Sequence, residues 1–356
     1  MKKITVLFPI DKNQGNPYVD ELAEIMSKDF KIIMDRNEFW NSNDNTDVNY
    51  DIIHLHWPES LFGWNTISNE DLLTLERKLN YWENNSRILY TRHNFNPHMN
   101  WVYKNKTGRL LYELISKYAN TIVHFGRFSV NDYKQRYKNV SVKNSQRHEV
   151  IPHGLYNSYE NSINKKEARK ILKIPKDNCV ILCFGAIRNK LESKLVKNLI
   201  QDIPIKNKLI LVPRWNFSLR TLLRIGQNLF YKIHPYFMLE SKFVPEKEIE
   251  VYFNACDIVL IPRLKSLNSG LVSLAFTFKK VVVGLNDGII GELLLETNNP
   301  TFENNNRESV VSAIMKGLKL AETGKGLKNY IYGKKHWSSS VIKKKYKEVY
   351  ISLLKR

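Results

Sequence analysis

The amino-acid sequence predicts an α/β protein built from two doubly wound parallel-sheet units in tandem. Three observations predict it. The 356 residues exceed the usual length of one domain, about 100–200 residues. Short apolar runs alternate with amphipathic stretches along the chain, the order that builds strand, helix, strand units. The polar, aperiodic segment 157–164 (NSYENSIN) interrupts that alternation near the middle and reads as a linker, with Asn164 placed to cap a following helix. Hydrophobic residues at 43% and charged residues at 25% exclude a disordered or fibrous chain.

In the first half, strands are predicted at 4–9, 31–34, 51–56, 87–91, 121–124 and 148–152, with helices at 18–28, 69–84, 107–118 and 127–137 between them. In the second half, strands are predicted at 179–184, 208–213, 232–236, 258–262 and 280–284, with a further short one near 300–302. Helices are predicted there at 192–199, 218–231, 245–255, 270–278, 288–296 and 307–321. A last basic helix, 338–354, has no strand after it.

Three cysteines, Cys179, Cys183 and Cys256, cannot form a disulfide framework, and no paired CxxC pattern suggests zinc, so a reducing compartment is expected. The opening MKKITVLFPIDKNQ has an apolar run too short for a secretory core, and no window reaches about 18 apolar residues. A cytoplasmic location is therefore expected.

The net charge of +20 is unevenly distributed. Residues 1–100 hold 10 Lys+Arg against 15 Asp+Glu, a net of −5, which leaves +25 for the remainder. The excess sits in residues 101–150 (10 against 3), 186–235 (10 against 2) and 316–356 (12 against 2). AT-biased codon usage accounts for part of the lysine content, while clustering of this kind suits phosphates, anionic lipid or nucleic acid. No nucleic-acid-binding motif interleaves with these residues. Residues 99–118 and 218–231 combine basic side chains with leucines and aromatics, which suggests peripheral attachment to an anionic inner membrane face; core packing explains the leucines equally well.

In open α/β sheets, ligands bind where strands end and helix N-termini present unpaired amides. The loop FGAIRNK follows a strand and offers Gly185 for close backbone approach, with Arg188 and Lys190 as cations that suit a diphosphate. The segment 257–294 carries a polar loop with Asn268 into Ser269, Gly270 and Leu271 at the start of an apolar helix. It then carries a second loop, NDG, opening the helix with Glu292, a carboxylate suited to ribose hydroxyls or to capping. His54, His56, His93, His98 and His153 fall at or just past the ends of first-half strands, where a near-neutral imidazole can donate to a hydroxyl or accept its proton.

These residues resemble, in order and over nearly the whole chain, the GT-B glycosyltransferases, most closely glycosyltransferase family 4. Gly185, Arg188 and Lys190 match that family's donor-diphosphate loop, with Lys194 as an alternative to Lys190. Ser269 and Gly270 match its small-residue helix start, and 281–292 its strand, loop and glutamate. DIIHLHWPE (51–59), LYTRHN (89–94) and VIPHGL (150–155) are similar to its first-half motifs. The resemblance implies two Rossmann-like domains facing a cleft: 1–156 on the acceptor side, with helix 338–355 packing back on it, and 165–337 binding the nucleotide sugar. It implies transfer from a nucleotide diphosphate sugar to a glycan or lipid-linked acceptor in cell-surface polysaccharide synthesis. His93, His56 and Glu59 become catalytic candidates, with Gly15 on the donor side. No cofactor beyond the co-substrate and no metal is implied, since no D-x-D cluster ends a strand. The sequence departs from the family where two glutamates separated by seven residues are usual, having Leu267 and Ala275, and where a Gly-Gly loop is replaced by NQGNPY (13–18). A sugar-nucleotide epimerase of the same architecture and a non-enzymatic binder of anionic polymer are the alternatives.

Overall fold

The computed structural model describes residues 3–12, 17–43, 49–95, 106–215, 230, 232–241 and 243–355. The chain divides into two compact units, Met1–His153 with Ser339–Arg356, and Gly154–Ser338.

The first unit is a six-stranded parallel sheet in the order β2-β1-β3-β4-β5-β6, with β1 Thr5–Phe8, β2 Lys31–Met34, β3 Ile52–Leu55, β4 Arg87–Thr91, β5 Thr121–His124 and β6 Arg147–Val150. The residues of β1, β3 and β5 are buried throughout, which explains why these strands read as continuous rather than alternating apolar runs. Helices α1 (Tyr18–Ser27), α2 (Arg36–Asn41), α3 (Asn69–Asn85), α4 (Lys106–Tyr118) and α5 (Arg127–Arg136) connect them. A reciprocal capping box between Ser68 and Asp71 starts α3. Leu111 and Ile115 of α4 are buried in the core, and Leu110 and Leu114 pack against it, so the apolar face of this helix serves folding.

The second unit is another parallel sheet, ordered β12-β11-β10-β7-β8-β9, from β7 Cys179–Leu182, β8 Lys208–Val212, β9 Phe237–Leu239, β10 Ile258–Ile261, β11 Val281–Leu285 and β12 Thr301–Phe302. Its helices are α6 (Lys165–Ile171), α7 (Lys190–Asp202), α8 (Glu246–Ala255), α9 (Leu271–Thr277), α10 (Gly288–Glu296), α11 (Arg307–Glu322) and α12 (Lys325–His336). Asn164 and Glu167 form the capping box of α6. The strand order reverses between β7 and β10, and such a switch point is where open sheets leave a crevice for ligands.

The final helix α13 (Ser339–Leu354) belongs to the first unit and buries Ile342, Tyr346, Val349, Tyr350 and Leu353. The Tyr350 hydroxyl lies 2.8 Å from His54 Nδ1, and Tyr346 Oη lies 3.0 Å from Tyr18 Oη.

The strand expected at 232–236 is displaced. Residues 232–233 are helical, and pairing with β8 begins at Phe237. Pro235 lacks a backbone donor and disfavours helix at the preceding residue. Phe237 and Leu239 carry the buried side chains while Ile233 is 73% exposed. Most of the helix expected at 218–231, and residues 99–105, lie outside the described residues. Helices α2 and α12 are additions to the sequence reading. Among the described residues no helix is long and apolar enough to cross a membrane.

Candidate functional site

In the second unit, the loops after β7 and β10 meet at the switch point. Gly185 adopts φ +88°, and a Cβ there would lie 3.4 Å from Arg263 Nη2 and 3.9 Å from Leu271 Cδ1. The left-handed backbone and the close approach both favour glycine. Arg188 and Lys190 are exposed, Arg188 on the loop and Lys190 as the first residue of α7. Lys194, one turn further, is also exposed.

Beneath the loop lies a pair that the sequence reading missed. Arg263, directly after β10, donates from Nη1 to Glu192 Oε2 at 2.7 Å and from Nη2 to the Ala186 carbonyl at 2.6 Å. The two side chains are 4% and 1% exposed. Glu192 Oε2 also accepts the Arg188 backbone N–H at 2.8 Å, while Asn189 Oδ1 caps α7 by accepting from Glu192 N at 2.9 Å. Burial, and then the nearby Arg188 charge, bring the Arg263 guanidinium down to about 10, so it stays cationic at neutral pH. Arg188 thus adds a second positive charge close to the Glu192–Arg263 pair. The spacing Asn189-x-x-Glu192 signals a helix start; nothing in the sequence signals its partner.

The adjoining loop is held by short local bonds. Ser266 Oγ donates to the Asn268 carbonyl at 2.6 Å, and Leu271 N to Ser269 Oγ at 3.3 Å. Gly270 is the residue before α9, and Asn268 Oδ1 is buried with no hydrogen-bond partner among the described residues. At Gly288, φ is +67° and a Cβ would lie 2.9 Å from the Ser266 carbonyl, so the loops after β10 and β11 are pressed together. Glu292 stands one turn into α10, half-buried. Leu267 and Ala275, 2% and 0% exposed, fill core positions. Gly15 lies outside the described residues.

In the first unit, His54, His56 and His93 form a buried array. His54 Nε2 lies 2.8 Å from Thr91 Oγ1. His56 Nδ1 lies 3.1 Å from His93 Nε2, and His56 Nε2 is buried with no partner among the described residues. Burial brings the His56 imidazole down to about 3, which keeps it neutral. His93 stacks on Trp57, centroids 4.2 Å apart. His153 packs on Tyr18 at 4.6 Å; His98 is outside the described residues. Glu59, on a 3-10 helix (Pro58–Phe62), is fully buried and accepts the Tyr112 hydroxyl at 3.0 Å. The residue before His93, Arg92, is 0% exposed and donates to the Ser129 carbonyl at 2.8 Å and to Asp132, which fixes the start of that loop. Among the described residues no group of three or more His, Cys, Asp or Glu could hold a metal ion.

No protein-family model and no curated protein sequence matches the chain. Solved structures do match over nearly its full length. Sucrose-phosphate synthase from Thermosynechococcus elongatus is 15% identical, covering 99% of this chain and 100% of its own, with a TM-score of 0.68. A glycosyltransferase from Rickettsia africae is 15% identical over 100% of both chains, TM-score 0.64. Anabaena HepE, solved with UDP and glucose, is 12% identical over 98% of this chain and 100% of its own, TM-score 0.65. Two all-parallel six-stranded units matching these structures define the GT-B fold.

Proposed function

We propose that this protein is a glycosyltransferase, similar to family 4, that moves a sugar from a nucleotide diphosphate sugar to a glycan or lipid-linked saccharide acceptor in cell-surface polysaccharide synthesis. The observation that carries the reading is the cationic loop 184–190 at the switch point of the second sheet, with Arg188 and Lys190 exposed above a positive-φ glycine. The HepE structures solved with UDP and with UDP-glucose add support from the same fold.

As the bond from the anomeric carbon to the diphosphate breaks, negative charge gathers on the leaving oxygen. Arg188 and Lys190 meet that charge, the role a divalent cation plays elsewhere, which is why we propose metal-independent transfer. Gly185 permits close backbone approach, and Ser269, Gly270 and Leu271 supply the second wall of the diphosphate seat with Asn268 behind them. Glu292 is assigned to ribose hydroxyls. We assign the acceptor to the first unit, where His93, Glu59 and His56 are the candidates to receive the acceptor's hydroxyl proton; burial disfavours a charged His56 and makes it the weakest base of the three. The basic surface is assigned to an anionic membrane face.

Thermal-shift measurements with UDP, GDP, ADP and CMP test the reading. At least one nucleotide should stabilise the protein, and Arg188→Ala should abolish both that shift and sugar transfer while leaving the folded state intact. Transfer should survive EDTA. Failure of every nucleotide to shift the melting curve refutes the reading.

A further inference from the structure

We propose that Glu192 and Arg263 form a positioning pair that presets the phosphate-facing backbone of loop 184–190. This rests on the reading of that loop as the nucleotide-diphosphate seat.

The two side chains hold the loop from both ends. Arg263 Nη2 takes the Ala186 carbonyl at 2.6 Å, and Glu192 Oε2 takes the Arg188 N–H at 2.8 Å, while Nη1 and Oε2 bind each other at 2.7 Å. Ile187, between these two bonds, is 7% exposed, and its N–H reaches the Arg214 carbonyl at 3.4 Å. Three successive residues are thereby fixed immediately after Gly185, whose φ of +88° makes it the natural swivel of the loop. Arg188 then projects from a backbone that cannot drift. The pairing also assigns charge: Arg263 is balanced by Glu192, which leaves Arg188 and Lys190 as the cations open to a ligand.

Stability alone is a poor reason to keep such a pair. Exchanging a buried ion pair for apolar side chains of similar volume is often neutral or stabilising, whereas removing one partner strands a buried charge. What the apolar replacement cannot supply is the pair of bonds to Ala186 and Arg188. Freeing a residue leaves about 1–2 kcal/mol of backbone entropy to be lost on binding, a factor of about 5–30 for each residue.

The experiment compares the full-length protein with Arg188→Ala, Arg263→Lys and the double variant Glu192→Leu/Arg263→Met. It reads melting temperature, hydrogen exchange of the peptide spanning 185–189, affinity for UDP, GDP and ADP, and the KM and kcat of transfer. The double variant should melt close to the wild type, lose exchange protection at the Arg188 amide, and bind nucleoside diphosphate at least about tenfold more weakly, with the loss in KM for the donor rather than in kcat. Wild-type exchange protection and affinity in the double variant would overturn the proposal and leave the pair with a packing role. If the double variant does not fold, Arg263→Lys decides. Its single ammonium cannot span Glu192 and Ala186 as the guanidinium fork does, so weakened affinity supports the proposal and unchanged affinity overturns it. Exchange protection that vanishes in the variants while Arg188→Ala leaves nucleotide affinity untouched would uphold the pinning and sink the diphosphate reading instead.

Discussion

Removing residues 339–356 should unfold the first unit although the excised helix is the last element of the chain. Helix α13 buries Ile342, Tyr346, Val349, Tyr350 and Leu353, all between 0% and 6% exposed. At about 1.5–3 kcal/mol for each fully buried large side chain, five amount to about 8–15 kcal/mol as an upper bound. The truncation also orphans His54 Nδ1, which Tyr350 satisfies at 2.8 Å, at a cost of about 1–3 kcal/mol for a buried polar group left unpaired. A whole domain is stable by about 5–15 kcal/mol, so the loss rivals the total. Tryptophan fluorescence during urea unfolding reads the outcome directly, because Trp40, Trp57, Trp64, Trp82 and Trp101 belong to residues 1–153 and only Trp215 and Trp337 do not. The truncated chain should show the emission of an unfolded first unit without denaturant, with a second-unit transition remaining. A urea midpoint for the first unit within about 0.5 M of the full-length value would show that α13 is dispensable and that the burial argument fails.

Acid should weaken the first unit before carboxylates titrate. Burial drives His54 well below its ordinary value, His56 to about 3 and His124 to about 2, so the folded state keeps all three neutral while the unfolded chain takes up protons below about pH 6.5. Stability is then complete above about pH 6.5 and falls from there down to about pH 3 for His56 and about pH 2 for His124, by about 2 kcal/mol for each such histidine at pH 5. Denaturant unfolding at pH 7 and pH 5 measures this, and equal free energies would contradict it. Gly185→Ala should strain a backbone at φ +88° by about 1–2 kcal/mol and press a methyl towards Arg263 Nη2. Lower nucleotide affinity together with a lower melting temperature is expected, and a variant indistinguishable from wild type would mean that the loop is not held in this conformation. Tyr350→Phe should cost the first unit about 1–3 kcal/mol through the unpaired His54 nitrogen, measured as a reduced urea midpoint.

Much of the architecture is legible locally. Helix α10 lies where the NDG start and its apolar run place it, because Asp287 caps it by accepting from Gly288 N and its leucines and isoleucines have one face to bury. Helix α12 is harder to read, since its lysines and glycines show no clean apolar period. Its start packs closely because Gly326 lets the backbone approach the Lys279 carbonyl, where a Cβ would stand 1.9 Å away. Edge strand β9 shifts by five residues for a comparable reason: a short strand is fixed by its neighbour's register as much as by its own residues.

The sequence by itself determined the alternation of strands and helices, the division near the middle, and the strand-end loops carrying Gly185, Arg188, Ser269 and Gly270. Each of these depends on periodicity, turn chemistry or helix starts, which act over a few residues. Only the tertiary structure decided that His56 and His93 touch, and that Arg263 meets Glu192 across 71 positions of sequence. The last of these follows from β10 lying beside β7. Strand order is a global property of the folded sheet, set by how all its helices and connections pack together, and no local pattern encodes it.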